Sequence, residues 1–334
     1  MKYYILASSL ISDESTSKLL RQLRRVDVRA EFKGFGDFHM KLECSDIPEV
    51  DLFTLKKAKR TIKEFVPDLI ILTGSSLKEI NLASFAKKLG IKTCYYSLPD
   101  SPGKVSIRRI SQVMDKVLVT RPDEEKLYNS TSARAEFVGN PLIDSIKDHE
   151  FDETLILNLN RVNIAVLPAP NDKQFRRELK LIRRIAARVP EYQFHIVLEL
   201  NDLNPMVPEN VKLYVGKKYD MLKQCNAAIA FSGIGSLESA LMNCPHVLFR
   251  KKNGWWNQKR KLISPVNRVM NKVIVSELSE PGEILSELNL ILKDENRCAG
   301  IMADYQEMKE RIGMERASYN AARIITEWLE SGSS

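Results

Sequence analysis

Short apolar runs alternate along the chain with longer segments of helical spacing. KYYILA (Lys2–Ala7), DLIIL (Asp68–Leu72), KTCYY (Lys92–Tyr96), KVLV (Lys116–Val119) and AEFV (Ala135–Val138) are rich in β-branched and aromatic residues and predict strands. Ser15–Arg25, Thr54–Phe65 and Ile80–Leu89 predict helices between them, the last stopping at Gly90. The pattern then pauses in the polar stretch KDHEFDETLILNLNR and restarts. Asn163–Leu167, Gln193–Leu198, Val211–Val215, Ala227–Phe231, His246–Phe249 and Lys272–Val275 form a second set of predicted strands. Helices are expected at Gln174–Arg188, Tyr219–Cys225, Ser236–Asn243 and Glu283–Asp294. Such alternation is the pattern of a doubly wound parallel sheet, here present twice. The predicted divisions are residues 1–150, 151–312 and a C-terminal helix at 313–331, where Ala317, Ala321, Ile324, Ile325 and Trp328 recur at helical spacing and Trp328 is expected in the core. Two α/β halves imply a cleft between them, with ligands outside the carboxyl ends of the strands.

Composition narrows this reading. At 334 residues the chain exceeds what one core usually supports, and 44% hydrophobic with 28% charged residues is ordinary for a globular protein. No segment approaches the roughly 20 apolar residues of a membrane span. MKYYILASSLIS fits a first strand better than a signal peptide, so a cytoplasmic location is expected. Five scattered cysteines (Cys44, Cys94, Cys225, Cys244, Cys298) suggest neither disulfides nor a zinc site. The four histidines (His39, His149, His195, His246) lack metal-ligand spacing and are expected to be structural; no metal and no cofactor is implied. The net charge of +8 favours polyanions or a negative membrane surface without choosing between them.

The chemistry concentrates in AAIAFSGIGSLESALMNCPHVLFR, Ala227–Arg250, which reads as strand, glycine turn, helix and strand. Backbone amides left unpaired at a helix N-terminus favour a phosphate. The bland alternative is an ordinary strand-to-helix turn whose glycines serve only backbone geometry.

Four segments together resemble the lipid-A-disaccharide synthase family of inverting glycosyltransferases. FKGFGDFHM (Phe32–Met40) matches its FxGxGGPxM, and FVGNPLIDSI (Phe137–Ile146) its FVGHPLxD. AFSGIGSLESALMNCPHVL matches A-SGTATLE-A-LxxxPMVV, and SPVNRVMNKVIVSELSE (Ser264–Glu280) parallels NLLxGxxxVPELxQ. The resemblance implies a GT-B fold: two Rossmann-like domains facing a cleft, acceptor in the first and UDP-sugar in the second, with the C-terminal helix crossing back to the first. It implies a UDP-sugar-dependent hexosyltransferase acting on a lipid or glycan acceptor, inverting and without a metal. Gly233, Gly235 and Ser236 would supply amides and a hydroxyl to the diphosphate. Glu238, Asn267 and Glu277 would meet sugar or ribose, and Gly139, Asn140 and Pro141 would line the cleft or hinge. For Glu238 the alternative is a first-turn glutamate that complements the helix dipole.

The chain also departs from the family. GEPSGD is here SLISDE (Ser9–Glu14), without either glycine, and LPGSR is LPAPN (Leu167–Asn171), without the arginine. Lys173, Arg176 and Arg177 are candidate replacements, each more simply part of a polar helix face. The aspartate of GIDAPDFN becomes Ser76 in TGSSLKEIN, leaving Glu79 as the candidate general base. Otherwise Glu79 is a solvated helix-start glutamate. A non-catalytic descendant binding a nucleotide sugar or a partner, and a UDP-sugar 2-epimerase-like enzyme, are the alternatives. Arg250, Lys251, Trp255, Trp256, Lys259 and Arg260 set tryptophans among cations, as interfacial anchors do, and suggest peripheral contact with an anionic inner membrane. No nucleic-acid module accompanies them, so no nucleic-acid partner is expected.

Overall fold

Residues of one strand alternate between two buried surfaces. Tyr3 and Ile5 enter one core cluster while Tyr4 and Leu6 enter another, and Leu69 and Ile71 part in the same way from Ile70 and Leu72. Strands buried on both faces read as continuous apolar runs, which is why these were legible. A computed structural model describes the chain apart from residues 8–9, 50–51, 98–103, 132–133, 170–171, 199–204, 251–263, 314 and 332–334, and apart from the side chains of residues 10–13, 38, 104–106 and 172–173. It divides into two units, Met1–Asp144 with Ile312–Ser334, and Ser145–Arg311.

The first unit runs β1 (Lys2–Leu6), α1 (Leu10–Val26), β2 (Glu31–Phe35), α2 (Phe38–Glu43), α3 (Leu55–Phe65), β3 (Leu69–Leu72), α4 (Leu77–Lys88), β4 (Lys92–Tyr96), α5 (Lys104–Val113), β5 (Lys116–Val119), α6 (Pro122–Asn129), β6 (Ala135–Phe137) and the start of α7 (Pro141–Lys147). Its strands are all parallel, in the order β2-β1-β3-β4-β5-β6. The second continues with β7 (Val162–Leu167), α8 (Asp172–Ala186), β8 (Tyr192–Leu198), β9 (Val211–Val215), α9 (Lys218–Gln224), β10 (Ala227–Ala230), α10 (Gly233–Leu241), β11 (His246–Phe249), α11 (Pro265–Met270), β12 (Glu277–Leu278), α12 (Pro281–Lys293) and α13 (Glu295–Ile312). Its order is β12-β11-β10-β7-β8-β9, again parallel throughout. The last helix, α14 (Ala317–Ser331), packs on α1 in the first unit. Ala321, Ala322, Ile324, Ile325 and Leu329 join the core cluster there, and Asp144 Oδ1 accepts the Arg316 N–H at 2.7 Å at its start. Trp328, expected in the core, is only partly buried, with Lys92 Nζ 5.2 Å from the centre of its ring.

Two expectations need correction. Lys272–Val275 is not a strand: the edge strand is Glu277–Leu278, and the amides of Ile274 and Val275 instead donate to Asn267 Oδ1 at 2.8 and 2.9 Å. Glu31–Phe35, unrecognised in the sequence, is an edge strand of the first sheet; only Phe32, Gly34 and Phe35 are buried in it, so its apolar signal is weak. The polar stretch after Lys147 is held rather than loose. Asp220 accepts the Asp152 N–H at 2.7 Å and bonds His149 Nε2 at 3.0 Å, and Leu157 is buried.

Gly34 adopts φ +153°, and a Cβ there would lie 1.7 Å from the Ile5 carbonyl oxygen. The neighbouring atom is backbone of the central strand and cannot swing away. Gly34→Ala is therefore expected to destabilise the protein by more than about 3 kcal/mol, read as a lowered urea midpoint; an unchanged midpoint would contradict the β1–β2 pairing described.

Candidate functional site

Ligands of open parallel sheets sit at the carboxyl ends of the strands where the order reverses. In the second unit those strands are β7 and β10, paired through Ala230 and Leu167. The Phe231 N–H extends the ladder to Leu167 O at 3.0 Å, and α10 begins two residues later. Ser232 is its N-cap, Oγ accepting the Gly235 N–H at 3.0 Å. The helix thus starts at Gly233, three residues before the predicted Ser236, and both glycines lie in its first turn rather than in a loop. At Gly235 a Cβ would come within 3.3 Å of both Leu167 Cβ and Ser232 Oγ, so a side chain would fit there only if those neighbours gave way by a few tenths of an ångström. The Gly233 and Ile234 amides have no partner among the described residues. They stand at the positive end of the helix dipole.

Ser236, expected to offer its hydroxyl to a ligand, faces inward. It is fully buried, its Oγ 2.8 Å from His246 Nε2 and 2.9 Å from Ser264 Oγ. Tyr305 Oη closes the chain at 2.8 Å from His246 Nδ1, which also lies 3.2 Å from the Cys244 carbonyl oxygen. Burial pushes the His246 pKa down to about 4, so the ring is neutral at physiological pH. Glu238 is also buried, its Oε1 accepting from Tyr219 Oη at 3.0 Å and ion-paired with Lys218 Nζ at 2.8 Å. Glu277 Oε1 accepts the Ser264 N–H at 2.8 Å and Asn267 Nδ2 at 3.3 Å, while Arg250 Nη1 lies 3.8 Å from Oε2. Asn267 is fully buried and holds the 274–275 turn. Of the expected substrate contacts, Ser236 and Asn267 are thus scaffold, and Glu238 and Glu277 each carry a cation.

In the first unit Ser76 and Glu79 follow β3 at the start of α4, where that sheet's order reverses. They form a capping box: the Ser76 N–H donates to Glu79 Oε2 at 2.8 Å, and Ser76 Oγ accepts the Glu79 N–H at 3.4 Å. Glu79 is not solvated but 3% exposed, and its Oε1 has no hydrogen-bond partner among the described residues. Gly139 takes φ +100°, where a side chain would be strained. Asn140 Oδ1 caps the Leu142 N–H at 3.0 Å, and Pro141 opens α7.

A family model described as lipid-A-disaccharide synthetase matches residues 50–326. The chain belongs to this family. The lipid-A-disaccharide synthase of Syntrophus aciditrophicus is 28% identical over 299 residues, covering 81% of this chain and 78% of its own. Lipid-A-disaccharide synthase 1 of Legionella pneumophila is 27% identical over 374 residues, covering 96% of each. Among solved structures, UDP-GlcNAc 2-epimerase from Neisseria meningitidis bound to UDP-GlcNAc aligns with TM-score 0.69 at 14% identity, over 99% of this chain and 100% of that one. The glycosyltransferase SnogD from Streptomyces nogalater aligns with TM-score 0.59 at 18% identity, over 97% and 99%. These likenesses place the two parallel sheets in the GT-B fold, and membership of the family makes the chain a hexosyltransferase by class.

Within this family member, Arg250 turns back onto Glu277 of its own unit, whereas Lys251, Trp255, Trp256, Lys259 and Arg260 lie outside the described residues. Arg176 and Arg177, candidates for the missing arginine, are exposed on α8, and the side chain of Lys173 is not described. Sequence reasoning missed Lys218, Tyr219, His246, Ser264 and Tyr305. The only signal was the paired lysines of VGKKYD at the end of β9; the others are brought in by distant elements. It also missed Glu178, buried against the loop after β7, its Oε2 accepting the Ala169 N–H at 3.0 Å. No helix among the described residues is long and apolar enough to cross a membrane.

Burial raises the Glu178 carboxyl from 4.5 to about 7. Between those values the native state holds a proton that the unfolded chain has released, so stability falls as pH rises through the window. The loss should reach on the order of 3 kcal/mol. Urea titrations at pH 5 and pH 8 should show this fall in the wild type and a flattened dependence in Glu178→Gln; parallel curves would refute the assignment.

Proposed function

We propose that this enzyme transfers a sugar, an N-acetylglucosamine derivative, from a UDP donor to a lipid or glycan acceptor, inverting the anomeric centre without a metal. The observation that carries the donor half is the N-terminus of α10. Two amides without partners among the described residues stand at a strand-order reversal, and two ion pairs, Lys218–Glu238 and Arg250–Glu277, belong to the same constellation. A departing UDP gains negative charge, and groups already aimed at it lower the barrier because they need not reorganise. In this reading Lys218 and Arg250 supply the cations that Asn171 does not, and Glu238 and Glu277 hold them in place until the diphosphate arrives. Glu238 would then be released to the ribose hydroxyls. The names of the relatives support a lipid acceptor, and with it a cytoplasmic protein working at the periphery of the membrane.

On the acceptor side Glu79 is the general base of this proposal, since Ser76 cannot deprotonate a sugar hydroxyl unaided. Its unpartnered Oε1 supports the role; opening the capping box would expose it. A second reading, a nucleotide-sugar binder without catalysis, is favoured by that same box, which engages Ser76 and Glu79 with each other.

UDP at a hundredfold above its Kd should stabilise the protein by about 2.7 kcal/mol and raise its Tm. Lys218→Gln should weaken UDP about tenfold or more, the cost of one charge-assisted hydrogen bond. If no uridine nucleotide shifts the Tm, both readings fail. Given binding, UDP release from UDP-GlcNAc with candidate acceptors separates enzyme from binder. Glu79→Gln should lower kcat at least a hundredfold with little change in KM; unaltered turnover would remove Glu79 from the mechanism.

A further inference from the structure

α9 carries two of the residues that reach Glu238, yet it is poorly equipped to place them. It has seven residues, too few for a helix to hold its shape alone. Where α10 has Ser232 as its cap, the N-cap of α9 is Lys217, with no side-chain cap bond among the described residues. Its opening turn is held instead by the stretch that follows α7. Asp220, 2% exposed, commits both carboxylate oxygens to that stretch: Oδ1 accepts the Asp152 N–H at 2.7 Å, and Oδ2 lies 3.0 Å from His149 Nε2. Asp152 reaches back with its own side chain, Oδ2 pairing with Lys217 Nζ at 2.8 Å. The His149 ring stands edge-on to Phe151 and Tyr219, with centroids 5.0 and 5.2 Å away. Phe151 in turn carries Lys223 Nζ 4.1 Å from its ring centre. Residues 149–152 thus hold α9 from its N-cap to its last turn, all within the second unit.

Lys218 and Tyr219 lie between Lys217 and Asp220 in the chain, and both end on Glu238 Oε1, at 2.8 and 3.0 Å. We propose that His149 is a positioning residue of the donor site: by fixing Asp220 it fixes the turn from which Lys218 and Tyr219 hold Glu238. The inference rests on the donor reading of Lys218 and Glu238 given above. A carboxylate only accepts, so the ring donates to Asp220 from Nε2. Without that donor a buried oxygen of Asp220 loses its partner, a cost that rotating Asp220 toward water relieves. Lys218 and Tyr219 sit on the same turn and move with it, and the pair with Glu238 opens. His149 acts on Glu238 only through α9, and its own place is set by the edge contacts with Phe151 and Tyr219.

H149F and H149Q separate this role from packing. Phenylalanine keeps a ring between Phe151 and Tyr219 but loses the donor, whereas glutamine restores an N–H donor near the place of the imidazole Nε2. The ligand-free full chain is pulse-labelled with acetic anhydride, and Lys218 acetylation is read by mass spectrometry against Lys87, which pairs with Asp115 in the first unit. Lys218 should label several-fold faster in H149F than in the wild type, and at the wild-type rate in H149Q. UDP should bind H149F about fivefold more weakly and H149Q nearly as well as the wild type. A lowered urea midpoint in H149F with Lys218 labelling and UDP affinity unchanged would mean that His149 only packs, and the proposal would fall. It would fall equally if H149Q behaved as H149F. If the wild type binds no uridine nucleotide, the donor reading falls and this assignment with it; unchanged Lys218 labelling in H149F overturns this assignment alone.

Discussion

The close approach of α10 to β7 is the constraint on which the second unit depends. A Cβ on Gly235 would lie a tight 3.3 Å from Leu167 Cβ, and Ser232 caps the helix at the same point. A helix seated that tightly is buried from Ile234 to Leu241, so its polar side chains must find partners inside the protein. Tyr305, His246, Ser236 and Ser264 provide them in one chain, and the Ser264 amide passes it on to Glu277 and Asn267. Elements far apart in sequence are thereby tied to one helix start. Its first two amides, Gly233 and Ile234, have no partner among the described residues, as the opening turn of a helix leaves them.

The two units treat their strand-order reversals differently. In the second, acids carry cations: Glu238 holds Lys218 and Glu277 lies near Arg250, so charge is gathered but neutralised. In the first, the serine and glutamate at the equivalent place are spent on each other in a capping box. A carboxylate with one oxygen capping a helix and the other buried without a partner is held at a cost, because an unsatisfied buried acceptor loses its hydration.

Much of the architecture was legible in the chain because both sheets are sandwiched between helices, which makes their strands continuous apolar runs. The failures fall where that reason lapses: the edge strand Glu31–Phe35 is half exposed, and in Lys272–Val275 only Ile274 and Val275 are buried, in a turn around Asn267. In the site, the order of segments and the SGIGSLE motif located the helix N-terminus, since cap and glycine chemistry are local. The direction in which Ser236 points, the pairing of Lys218 with Glu238, and the burial of Glu79 and Glu178 were not legible. Each depends on what a residue 10 or more positions away, or a neighbouring layer, presents to it.

The sequence by itself determined the alternation of most strands and helices, the family, and, to within three residues, the place where α10 begins after β10. These follow from periodicity and from conformational preferences that act within a few residues. Only the tertiary structure decided which of the polar groups are buried with partners inside the fold, as Ser236, Asn267 and Glu79 are. Burial and hydrogen-bond partnership are properties of packed layers, and a linear pattern does not state them.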